Sequence, residues 1–177
     1  MLIAQTVCSK FDISVEQVTV DIDEIQGENP VIIVKDKVHR AYNSLSKPVV
    51  VSDDSWHITA LNGFPGPYMK SINYWFKPDD FIRLMKGVED RSIILRQLLA
   101  YYDGRTTKIF SKDIYGQVID EPRGKSDHSP NMSVIVLDDD NGKTIAEVFE
   151  QGQTAVAKRY QDRPDVWHGF VDWYKNR

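Results

Sequence analysis

Three consecutive valines, Val49-Val50-Val51, run directly into Ser52-Asp53-Asp54-Ser55. β-Branched side chains sit well on a pleated, half-buried surface, so the run predicts a short buried strand over residues 48–51. Two adjacent carboxylates then stand at its end. The next stretch, Ala60-Leu61-Asn62-Gly63-Phe64-Pro65-Gly66-Pro67-Tyr68-Met69-Lys70, is a stiff Gly/Pro loop that presents an aromatic ring and a lysine. Carboxylates at a strand end can hold a divalent cation, and a lysine nearby can meet a phosphate. The combination points to phosphate-ester chemistry.

The rest of the chain narrows the setting. Its 177 residues favour one domain with room for two lobes, and 41% hydrophobic residues are enough for a core. A formal charge of −4 argues against non-specific nucleic-acid or anionic-membrane binding. An acidic chain that binds an anion must do so through local cations or a metal. The single cysteine, Cys8, allows no internal disulfide, and a cytoplasmic location is expected. No apolar run approaches the length of a membrane span, and Met1-Leu2-Ile3-Ala4 turns polar too soon for a signal peptide.

Leu2, Ile3, Val7 and Phe11 recur at helical spacing, which predicts a helix over residues 1–11. Val18, Val20 and Ile22 alternate with polar residues, as in a strand. Asn29-Pro30 reads as a helix start, and Val34, Val38, Ala41 and Tyr42 form its apolar stripe to about Asn43. A weaker strand is expected over 56–61, closed by Asn62-Gly63, and a helix from Pro78 to about Lys86. Residues 92–102 fit a helix by their leucines and a strand by their aromatic end. Residues 108–111 and 116–119 look like a hairpin around Asp113-Ile114-Tyr115. A strand follows over 132–137, ended by an acidic run and an Asn141-Gly142 turn. Helices over 153–160 and from Pro164 close the chain. The fold class is α/β with a mixed sheet.

Four segments together resemble the inosine triphosphate pyrophosphatase family: Asp23-Glu24-Ile25-Gln26-Gly27, Val50 to Ser55, Ala60 to Lys70, and Gly116 to Gly124. Their order and spacing match as well, and Leu-Asn-Gly-Phe-Pro-Gly-Pro-Tyr is the most specific of them. The resemblance covers nearly the whole chain, residues 1–177. It implies an elongated mixed sheet flanked by helices, two lobes with a central cleft, and a homodimer. It also implies Mg2+-dependent hydrolysis of a nucleoside triphosphate, including non-standard purine triphosphates, to the monophosphate and pyrophosphate. Glu24 and Asp53 would be the metal ligands, with Asp53 first choice for positioning or deprotonating water. Asp54 stands as its substitute, because the spacing to Leu61-Asn62-Gly63 is one residue shorter than in some members. Lys70 would contact phosphate.

The chain also departs from the family pattern. The family opens with a strand and a Ser/Thr-x-Asn-x-x-Lys loop that cradles the triphosphate, whereas Met1 falls within the family's first helix. That strand and loop are expected to be missing, through either a start further upstream or a shortened, altered relative. Each charge-assisted hydrogen bond lost would cost roughly 1.5–3 kcal/mol. The Phe-Gly-Tyr/Trp-Asp-Pro motif falls near residues 127–132, where His128 is the remaining candidate to stack on a base. The C-terminal Ser-His-Arg corresponds to Ala157-Lys158-Arg159, so Lys158 and Arg159 keep positive charge for the phosphates, and the preceding lysine aligns with Gln153. Base specificity is therefore expected to be altered or lost. Two other readings stand beside an active pyrophosphatase: a catalytically inactive relative serving as a nucleotide-binding or dimeric module, and the same cleft turned to another phosphoanhydride.

The remaining chemistry-bearing residues have plainer expectations. His57 is a packed or rim residue, His39 and His168 lie on helix faces, and no spacing supports a zinc site. Asp138-Asp139-Asp140 is a solvated hairpin tip, Cys8 is buried, and Trp167, Trp173 and Tyr174 belong to the core or a dimer surface.

Overall fold

The structure is a computed structural model, and it describes residues 2–127, 129–152, 154, 156 and 165–177. Helices α1 (Leu2–Ser9), α2 (Pro30–Leu45), α3 (Met69–Trp75), α4 (Pro78–Leu84), α5 (Ile145–Phe149) and α6 (Val166–Lys175) flank a five-stranded sheet. Its strands are β1 (Val49–Ile58), β2 (Phe64–Gly66), β3 (Ser92–Tyr102), β4 (Thr107–Val118) and β5 (Ile135–Leu137), in the order β2-β1-β3-β4-β5. The β1–β2 and β4–β5 pairs are antiparallel. The α/β class with a helix-flanked sheet is the one the sequence implies.

The chain divides into two compact units. The first takes in Met1–Asp53, Gln97–Lys112 and α6, and the second takes in Asp54–Arg96 and Asp113–Val156. In the first unit, Val34 and Val38 of α2 pack with Val49, Val51, Leu98 and Ala100 on one face of the strands. Val7 and Cys8 of α1 and Phe170 and Val171 of α6 pack with Val50, Leu99 and Tyr101 on the other. Trp167, Trp173 and Tyr174, each partly buried, pack against this second cluster. In the second unit, Ile58, Ile93, Leu95 and Val118 meet Met69, Ile72, Phe81 and Met85. Each fully buried side chain of this size stabilises the fold by about 1.5–3 kcal/mol.

Helix α2 starts as expected. The Asn29 side chain accepts from Val31 N at 3.0 Å, Pro30 occupies the first turn, and Ser46 ends the helix at φ 52°. Helix α6 is capped by Asp165, whose carboxylate accepts from Trp167 N and His168 N. Thr144 and Glu147 form a reciprocal cap on α5, a helix signal that the pattern Thr-x-x-Glu carries in the sequence.

Four expectations are corrected. The strand at 48–51 and the weaker one at 56–61 are a single ten-residue β1, followed by a 3-10 turn over Thr59–Leu61. The acidic pair therefore lies within a strand and not at its end. Likewise β4 is one twelve-residue strand with no hairpin at Asp113-Ile114-Tyr115. Asp113 reads as a turn former, but Arg96 of β3 grips its carboxylate with two hydrogen bonds of 2.8 and 2.7 Å. The third correction concerns residues 132–137, where a 3-10 turn over Pro130–Ser133 leaves only Ile135–Leu137 as strand.

The fourth is the alternating segment at Val18–Ile22, which belongs to no strand. Alternation gives only the capacity for a strand, and the ladder needs a neighbouring edge. Among the described residues, the backbone of residues 14–28 makes no backbone hydrogen bond. The expected helix over 153–160 falls largely outside the described residues.

Candidate active site

In the first unit, the loop that follows residue 22 brings Glu24 to α2, where Lys37 Nζ lies 2.5 Å from Glu24 Oε1. The two side chains are 33% and 23% exposed, so each is mostly covered and the pair is screened less than a free surface pair. Lys37 is next to Val38, which is fully buried against the face of β1 that carries Val49 and Val51. The packing of α2 on that face thus sets where Lys37, and with it Glu24, is held.

Strand alternation then separates the two aspartates. Asp53 follows Val49 and Val51 on the α2 face. Asp54 follows Val50, and precedes Trp56 and Ile58, on the opposite face. The burial agrees, with Asp53 half-buried and Asp54 exposed. The two carboxylates therefore leave β1 on opposite faces.

The donor set fits magnesium in kind. Glu24 and Asp53 offer hard carboxylate oxygens, and magnesium is commonly held by one or two carboxylates together with substrate phosphates and water. Among the described residues, no group of three or more His, Cys, Asp or Glu side chains is placed to form a complete protein cage.

In the second unit, Lys70 is exposed in the first turn of α3. Ser55, only 2% exposed, lies 2.8 Å from His57 Nε2. His57 also meets the Gly63 backbone. Burial and the nearby Arg96 guanidinium hold the His57 pKa below the ordinary histidine value, partly opposed by Asp113 and by the Gly63 contact. The two hydrogen bonds from Arg96 hold the Asp113 carboxyl below its usual range, against the opposing effect of burial. His128, Lys158 and Arg159 lie outside the described residues.

Sequence reasoning missed Lys37 and the Ser55–His57–Arg96–Asp113 group. Lys37 had one usable signal, its place beside the apolar stripe of α2. Ser55 and His57 had another, since positions two apart on a strand share a face.

A profile of the Ham1 family matches residues 2–162. The chain belongs to the Ham1 family. Among Ham1-family relatives, it is similar to the dITP/XTP pyrophosphatase of Methanopyrus kandleri, 28% identical over 174 residues, covering 98% of this chain and 89% of that protein. It is also similar to inosine triphosphate pyrophosphatase 2 of Trypanosoma cruzi, 28% identical over 153 residues, covering 86% of this chain and 78% of that protein. In fold it resembles a HAM1 protein from Coxiella burnetii, with a TM-score of 0.72 at 18% identity over 98% of this chain and 92% of that one. No helix among the described residues of this Ham1-family chain is long and apolar enough to cross a membrane.

Proposed function

We propose that this protein is a Mg2+-dependent nucleoside triphosphate pyrophosphatase that releases a nucleoside monophosphate and pyrophosphate. The observation that carries the reading is the face shared by Asp53 and α2, the helix on which Lys37 holds Glu24. The names of the Methanopyrus and Trypanosoma relatives support the reaction class. Water attacks the α-phosphorus, and the bond from that phosphorus to the bridging oxygen breaks. Pyrophosphate leaves with the electron pair.

Asp53 orients the water and accepts its proton on a carboxylate oxygen. Glu24 and Asp53 would hold Mg2+, which when bound supplies positive charge to the phosphate oxygens. Lys37 supplies a cation beside Glu24, and Lys70, Lys158 and Arg159 bind phosphate. His128 stacks on the base. Asp54, on the other face of β1, is left out of the reaction. With the family's aromatic motif rewritten near residues 127–132, the enzyme accepts a broader or shifted range of bases.

We place the protein in the cytoplasm as a homodimer built from one Ham1-type domain. The exposed rings of Tyr74 and Trp75 on α3, 85% and 66% exposed, support a contact surface. The test is pyrophosphate release from a panel of standard and deaminated triphosphates, with Mg2+ and with a chelator. Release that needs the metal is expected. No release from any triphosphate overturns the proposal.

A further inference from the structure

We propose that His57 is a positioning residue that ties residues 63–66, and through them the start of α3 and Lys70, to β1. The inference rests on the assignment of Lys70 to phosphate, and it concerns how that lysine is held in place.

The ring is fixed by Ser55 on one side and flanked by the Gly63 backbone on the other. Nε2 lies 2.8 Å from Ser55 Oγ, two residues back on the same face of β1. That leaves Nδ1 for the Gly63 contact. Nδ1 faces the Gly63 backbone, and this contact raises the His57 pKa. The neutral ring thus hydrogen-bonds Ser55 through Nε2 and turns Nδ1 toward the loop at Gly63. Burial and Arg96 favour this neutral form.

The loop fits closely around the ring. A Cβ on Gly63 would sit 3.5 Å from Nδ1, and one on Gly66 would sit 4.0 Å from Cε1. Both glycines have positive φ, 87° and 59°, which a side chain would strain. His57 is paired in register with Pro65 of β2. The Pro65 carbonyl accepts from Tyr68 N at 3.2 Å, and α3 begins at the next residue. Met69 and Ile72 then anchor α3 in the core of the second unit. The path from the imidazole to Lys70 is therefore short, running through the His57–Pro65 register and the Tyr68 N to Pro65 carbonyl bond.

Two variants test this in the full chain. His57→Phe keeps a ring and removes both nitrogens, while His57→Asn keeps a donor near the Nδ1 position. Amide hydrogen exchange at residues 63–70 should accelerate at least tenfold in His57→Phe and return close to wild type in His57→Asn. Unchanged exchange in His57→Phe, or acceleration spread evenly over the protein, overturns the proposal. If His57→Phe does not fold, Ser55→Ala removes the hydrogen bond that fixes the ring and should show the same local acceleration, more weakly. Its absence there also overturns the proposal.

Kinetics supply the second readout. Lys70→Ala and His57→Phe should each raise KM for the triphosphate, and the double variant should be no worse than Lys70→Ala alone. Multiplying effects contradict action through Lys70. A Lys70→Ala variant with unchanged KM removes the phosphate role of Lys70, and the exchange measurement still decides whether His57 holds the loop.

Discussion

Lys37 Nζ and Glu24 Oε1 stand 2.5 Å apart, and this contact joins the loop after residue 22 to the helix that packs on β1. A carboxylate with its own lysine is held in one place. The lysine retains donors that a phosphate can take up, because an ammonium group carries three.

Substitution of Lys37 should show in substrate binding. A charge-assisted hydrogen bond to phosphate is worth roughly 1.5–3 kcal/mol, so Lys37→Met should raise KM about 10- to 100-fold. Glu24→Gln should instead raise the Mg2+ concentration needed for half-maximal rate. Steady-state kinetics with triphosphate and Mg2+ varied separately will distinguish the two. Equal effects of both variants on KM alone would count against the separate roles.

Acid should weaken the second unit in two stages. His57 has a folded pKa below its ordinary value of about 6.5. As pH falls from there, the unfolded chain takes up its proton first, and stability drops until folded His57 is protonated too. Asp113 has a folded pKa below the ordinary value of about 3.9, so its contribution is complete above that pH and is lost as pH falls through the folded pKa. Melting temperature measured against pH should show both losses, and His57→Asn should flatten only the first. An unchanged profile in that variant would remove His57 as a source of the first loss.

Cys8 should be chemically silent in the native protein. It has no exposed surface, and burial, assisted by the negative charge of Asp165, pushes its thiol pKa up to about 11. The thiolate is the reactive form, so alkylation at neutral pH should track unfolding. Mass spectrometry after brief iodoacetamide treatment, with and without denaturant, checks this. Rapid modification without denaturant would contradict it.

Local rules make several elements readable. Asn29-Pro30 announces α2 because cap chemistry involves only neighbouring residues, and the stripe of Val34 and Val38 gives its buried face. The Asn141-Gly142 turn is legible for the same reason, both residues having positive φ. What local rules miss depends on partners distant in sequence. Val18–Ile22 has strand periodicity, but no edge pairs with it among the described residues. Asp113 looks like a turn residue until Arg96 is seen across the sheet. For the candidate site, residue types are readable and facing is not. Once β1 is known to be one strand, Asp53 and Asp54 fall on opposite faces, a distinction invisible while they are read as a strand end.

The most direct test is the turnover number for pyrophosphate release, with Mg2+, of Asp53→Asn and Asp54→Asn side by side. Loss of a positioned base costs about 10²- to 10⁴-fold. Asp53→Asn should lose on that order, and Asp54→Asn should stay within about threefold, because its side chain lies on the other face of β1. Equal losses, or a larger loss for Asp54→Asn, would contradict the assignment of the reaction to the α2 face of β1.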